Sequence, residues 1–129
     1  MSAALTPAQA LGYLRELSAD MTAAIVLDAR GELLAGPPAL HAPAKALLDA
    51  TETVELQGST QTGVVFAARD THHQIVVATG PLALPGLTRH DLRTALAALS
   101  GGPAARETTP KEPPRHLVET LIAAAPGRR

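Results

Sequence analysis

Cysteine is absent from the chain, and so is tryptophan. The first absence removes disulfides, thiolate nucleophiles and cysteine-ligated zinc together. It also favours a reducing compartment, because small secreted domains are commonly stapled by disulfides. A cytoplasmic location is therefore expected. Aromatic residues are nearly missing as well: Tyr13 and Phe66 are the only two, and they lie far apart. Neither sign of charge is in excess, with 11 Lys and Arg against 12 Asp and Glu. A nucleic-acid surface needs a clustered basic footprint, often with aromatic rings for stacking, so no nucleic-acid partner is expected. No apolar run approaches the roughly 20 residues that cross a bilayer, and no membrane insertion is expected. The opening MSAALTPAQALGYL has no basic flank before a long apolar stretch and does not read as a signal peptide.

What remains is 129 residues built mainly on Leu, Val and Ala, enough for one domain and a tail. So small a core gains from oligomerisation. Thr6, Pro7 and Gln9 form a capping box with proline at the first helical position. They predict a helix over about 7–20, with Leu11, Leu14, Leu17 and Met21 on one face. Ala23-Ala24-Ile25-Val26-Leu27 and Glu32-Leu33-Leu34-Ala35 flank Asp28-Ala29-Arg30-Gly31, which predicts two strands joined by a tight turn. Gly36-Pro37-Pro38 ends the second strand.

A second helix is expected from 41–43 to about 51, with Leu40, Ala44, Leu47, Leu48 and Thr51 on one face and Lys45 on another. Thr53–Gln57 alternates polar and apolar residues and reads as a half-buried strand. Residues 58–63 are expected as a loop. Val64–Ala68 and Gln74–Ala78 are two more strands. Thr88 is the expected cap of a third helix with Leu92, Leu96 and Leu99 on one face, stopped by Gly101. The order is α-β-β-α-β-β-β-α, an α+β architecture. Residues 102–115, rich in proline and glycine, read as a flexible linker. Residues 116–125 read as a short amphipathic helix. Its apolar side (Leu117, Val118, Leu121 and Ile122) needs a surface to lie on, in this chain or in a partner.

No catalytic constellation can be assembled. His72 and His73 are adjacent on a strand, where side chains point to opposite faces, and no ligand stands at zinc-site spacing. Gly58 to Gly63 has a Gly-x-x-x-x-Gly spacing, but Val64-Val65 follow where a phosphate loop needs Lys and Ser or Thr. Ser18, Ser59 and Ser100 lie in no nucleophile-elbow sequence. Asp28 is sufficiently explained by its turn. No enzyme activity, cofactor or metal is expected.

The opening helix ALGYLREL, the hairpin AAIVLDARGELLA and the closing stretch IVVATGPLALPGLTRHDLRTALAAL resemble the bacterial type of the roadblock (dynein light chain-like) family. The resemblance covers about residues 7–101, within a domain of 1–101. It implies a five-stranded antiparallel sheet sandwiched by helices, the first and third on one face and the middle one on the other. It also implies a homodimer in which the edge strand pairs with its copy and the middle helices meet. Here that interface would comprise Leu40, Ala44, Lys45, Leu47, Leu48, Thr53, Val54, Glu55, Leu56 and Gln57.

The residues alone favour the same edge, because Thr53–Gln57 contains neither the lysine nor the proline that usually blocks a strand. Glu55 facing its own copy would be repulsive unless the register is offset or Lys45 helps. The implied function is a non-catalytic dimeric adaptor or scaffold regulating a Ras-like small GTPase. The alternative is a small-molecule-sensing domain, for which the apolar inner faces offer few convergent polar groups.

Overall fold

The computed structural model describes residues 4–18, 20–103 and 108–125. Helix α1 (Pro7–Leu17) leads into strands β1 (Met21–Asp28) and β2 (Leu33–Ala35). A single 3-10 turn over Pro38–Leu40 runs into α2 (His41–Asp49). Strands β3 (Glu55–Ser59), β4 (Val64–Arg69) and β5 (His73–Thr79) follow, then α3 (Pro85–Ser100) and α4 (Arg115–Ala124). The sheet order is β2-β1-β5-β4-β3 and every neighbouring pair is antiparallel. β2 and β3 are therefore the edges.

The central strands are covered on both faces, which is why β1, β4 and β5 read as continuous apolar runs instead of alternating. One face carries α1 and α3 over Ala24, Val26, Phe66, Ile75 and Val77. The other carries α2 and α4 over Ile25, Leu27, Leu56, Val65 and Val76. The expected α+β sandwich and its division of helices are thus present, with α4 added beside α2. No helix among the described residues is long and apolar enough to cross a membrane.

Local chemistry explains the turns. Thr6 and Gln9 form the reciprocal capping box. In the β1–β2 turn, the Asp28 carboxylate accepts the amides of Arg30 and Glu32 at 2.8 and 2.9 Å. The Glu32 amide is the main reason its pKa lies below the ordinary carboxylate value. Gly31 closes the turn at φ +88°, a left-handed conformation that costs glycine little.

Several boundaries differ from expectation. α1 stops at Leu17, not 20, because the chain turns extended at Ser18 to enter β1, which claims Met21. α2 ends at Asp49 instead of 51. α3 starts at Pro85, so Thr88 lies inside the helix and is buried rather than capping it. Proline at the first helical position explains the earlier start. β3 is shifted two residues: Thr53 and Val54 precede it, while Gly58 and Ser59, expected in a loop, belong to it.

Phe66 is the largest fully buried side chain of the α1–α3 face. Phe66→Ala should cost about 3–5 kcal/mol in urea unfolding, the range for removing a buried aromatic ring. Leu34→Ala, at a side chain 42% exposed, should change stability far less.

Candidate functional site

The β3 edge is set in place by Arg69, at the end of β4. Its guanidinium donates to the Leu48 carbonyl at 3.0 Å, the Thr53 carbonyl at 2.9 Å, the Thr51 carbonyl and the Gln74 side chain at 3.2 Å. One cation thereby satisfies the orphan Leu48 carbonyl in the last turn of α2 and ties the α2–β3 connection to the sheet. Burial pulls the Arg69 pKa down, with Asp49 and Glu52 opposing that effect.

Side chains alternate across β3. Glu55 and Gln57 point to the α3 face. Glu55 is buried and accepts from Arg93 at 3.0 and 3.3 Å, with Arg89 at 3.7 Å. Arg89 also donates to the Gln57 side chain. The Glu55 carboxylate turns inward to two arginines of α3. Removing one partner of such a buried pair strands the other charge, which is strongly destabilising.

Leu56 and Gly58 point to the opposite face, towards α4. The outward backbone of β3 meets a segment expected to be a flexible linker. Lys111 donates its N–H to the Glu55 carbonyl at 2.9 Å and accepts the Gln57 N–H at 3.0 Å, forming a parallel bridge with Leu56. Pro113 is buried beside it. A Cβ added at Gly58 would lie 2.5 Å from a methyl of Val118 and 3.4 Å from the Pro113 ring. Glycine in this strand therefore marks a close approach by another segment.

α4 then lies against α2, β3 and β4. Val118 and Leu121 are fully buried, with Leu117 and Ile122 partly buried at the margin. Burying one Val and one Leu is worth about 1.5–3 kcal/mol each. The two bridge hydrogen bonds contribute about 0.5–1.5 kcal/mol net each. The apolar anchors of α4 thus hold the tail, and the bridge sets its register along β3.

The sequence-predicted interface residues separate into two groups. Leu40, Ala44, Leu47 and Leu48 are buried in the chain's own core beneath α4 and against the sheet. Glu55 and Leu56 are buried on opposite faces of β3. Lys45 is on the outer face of α2, paired with Asp49 at 3.2 Å. Thr53 lies at the approach to the strand, Val54 is half exposed there, and Gln57 presents its backbone to Lys111. Within one chain, Lys111 therefore engages the β3 backbone and α4 packs on α2, while Lys45 and Val54 stay exposed.

Sequence reasoning missed Arg69, Arg89, Arg93, Gly58, Lys111 and Pro113. Gly58 carried a usable signal, a glycine continuing an alternating run. The arginine contacts span long sequence separations and left no local trace.

No group of three or more His, Asp or Glu among the described residues could hold a metal ion. His72 and His73 shape a turn in which the Asp70 carboxylate accepts both their amides, at 2.9 and 2.8 Å. A second feature lies at the start of α3. Asp91 is buried at the base of a cleft lined by Leu17, Leu82, Leu84 and Leu87. Burial raises its pKa above the ordinary carboxylate value, with partial relief from His90.

No family model and no curated protein matches the sequence. Solved structures do match the fold. A Roadblock/LC7 domain from Streptomyces avermitilis aligns at a TM-score of 0.62 and 12% identity, covering 72% of this chain and 93% of that one. The gliding protein MglB from Thermus thermophilus aligns at 0.57 and 15% identity, covering 74% and 86%. An MglB with a tetrameric arrangement aligns at 0.54 and 17% identity, covering 78% and 96%. The fold is that of bacterial roadblock domains, as the hairpin and closing stretch led one to expect.

Two outcomes are expected from these contacts. Gly58→Val drives a side chain into Val118 and Pro113, so limited proteolysis should release residues after 103 while the rest of the chain survives. An unchanged digestion pattern would contradict the close fit. For Asp91 the folded-state pKa lies above the unfolded one, so ionisation is costlier in the fold. That penalty grows as pH rises through the unfolded carboxylate range and is complete above the folded value. Asp91→Asn should therefore melt higher than the parent at pH 7, and the difference should close below the carboxylate range.

Proposed function

We propose that this chain is a non-catalytic regulatory adaptor whose working surface is the β3 edge together with α2. In this reading it forms a homodimer through that edge once its own tail lifts away, and its partner is a Ras-like small GTPase. The observation that carries the reading is the occupancy of β3. A segment of the chain itself completes the backbone of an edge that bears no blocking lysine or proline. An edge held by one bridge and one short helix can exchange that cover for another strand.

The fold supports the reading, since the solved structures it matches are roadblock domains and MglB proteins. The GTPase itself comes from the family resemblance of the sequence. Strand pairing through residues 55–59 would leave the Glu55–Arg93 pair intact, because that pair lies on the α3 face and not at the backbone edge. Lys45 and the exposed Val54 would flank the joined strands.

The cleft beside Glu55 and Arg93 bears on the small-molecule alternative. It measures about 240 Å³ and is lined by Val54, Ala68, Arg69, Asp70 and Leu96 among others. Arg69 and Arg93 are already spent on carbonyls and on Glu55. That leaves few polar groups to orient a ligand, and the adaptor reading is preferred.

Two measurements test the proposal. Light scattering over a concentration series should show the Gly58→Val chain, with its tail displaced, dimerising at lower concentration than the parent. Equal masses throughout would remove the edge-exchange idea. Calorimetric titration of the full chain with each Ras-like GTPase of its native host, loaded with GDP or a non-hydrolysable GTP analogue, should reveal binding that depends on the nucleotide. Silence from every GTPase in both states would remove the partner.

A further inference from the structure

The leucine-lined cleft above Asp91 uses no residue of β3 or α2. Among the described residues six large apolar side chains are exposed, and four of them, Leu17, Leu82, Leu84 and Leu87, line this one cleft. Leu82 is 84% exposed. Scattered surface leucines need no explanation, but a cluster around a concavity marks an interaction surface. The cleft measures about 240 Å³, below the roughly 300–1,000 Å³ of most small-molecule pockets. It suits one long side chain better than a metabolite.

Its polar chemistry has one sign. Asp91 is only 8% exposed and faces the cleft, and Asp20 stands at the rim. Among the described residues no Lys, Arg or His lines it. No hydrogen bond or ion pair to another described residue satisfies the Asp91 carboxylate; His90, its chain neighbour, gives it only electrostatic relief. A carboxylate in such a place is stabilised if a cation is delivered to it. Lysine and arginine carry an apolar stem under a charged head. The stem matches the leucine walls and the head matches the acidic floor. Arginine adds a planar fork that can engage a carboxylate through two hydrogen bonds.

We propose that the cleft between the end of α1, the β5–α3 loop and the first turns of α3 docks a partner protein segment by an arginine or lysine flanked by apolar residues. The basic head pairs with Asp91, and the flanking residues cover Leu82, Leu84 and Leu87. This site stands independently of the β3 edge and of any GTPase.

The test is a displayed random-peptide library screened on the full chain, with Asp91→Asn and Leu84→Asp chains as counter-targets. Enriched peptides should carry a basic residue beside apolar ones. Their affinity should fall about tenfold or more on either variant, the loss expected for a charge-assisted hydrogen bond or its apolar frame. Circular dichroism and melting separate loss of binding from loss of fold: Asp91→Asn should melt no lower than the parent. If Leu84→Asp does not fold, Leu82→Asp replaces it at a more exposed position. Enriched peptides without a basic residue, peptides that bind both variants as well as the parent, or no enrichment that depends on these residues would each overturn the proposal.

Discussion

The outer backbone of β3 is engaged by Lys111, whose N–H and C=O bond to Glu55 and Gln57. That contact registers the placement of residues 111–125. It fixes where Pro113 falls, brings Val118 over Gly58, and so places α4 along α2. Without it, the apolar side of α4 and the edge of the sheet would both face solvent. Each is a poor surface alone: a ten-residue helix is unstable in water, and an open strand invites another chain. They solve each other's problem inside one subunit.

The balance of forces within this contact bears on function. The hydrogen bonds of the bridge are few, and the larger share of the holding energy comes from Val118 and Leu121. A hydrophobic anchor is non-directional, whereas the bridge is directional. A competing strand would have to match the second and displace the first. Beneath the edge, Glu55 pairs with Arg93 and Arg89 of α3 on the face of the sheet, away from the backbone bonds of the bridge.

Much of the fold could be read from the chain alone. The capping box at Thr6, the Asp28–Gly31 turn and the apolar strands each depend on neighbours a few residues away. The partition of helices between faces came with the family likeness. The site was less legible. Residues 108–114 look like linker because four prolines and mixed charge over 102–115 suit a chain without partners, yet a proline-rich stretch is also suited to run extended beside a strand. The alternation of 53–57 was right in kind but two residues early, because Gly58 looked like a loop residue when it was making room for Val118. Glu55 looked like a surface charge, since its partners on α3 lie more than thirty residues away. Side chains that satisfy each other over such separations leave no periodic mark.

An isotope-mixed sample offers the most direct measurement. Equal parts of labelled and unlabelled chain, examined by NMR filtered for contacts within or between molecules, report which backbone lies beside Leu56. Contacts from Lys111 to Leu56 within the same molecule are predicted in the resting protein. Contacts from β3 of one molecule to β3 of another, with residues 108–114 lacking any contact to the sheet, would contradict the self-covered edge.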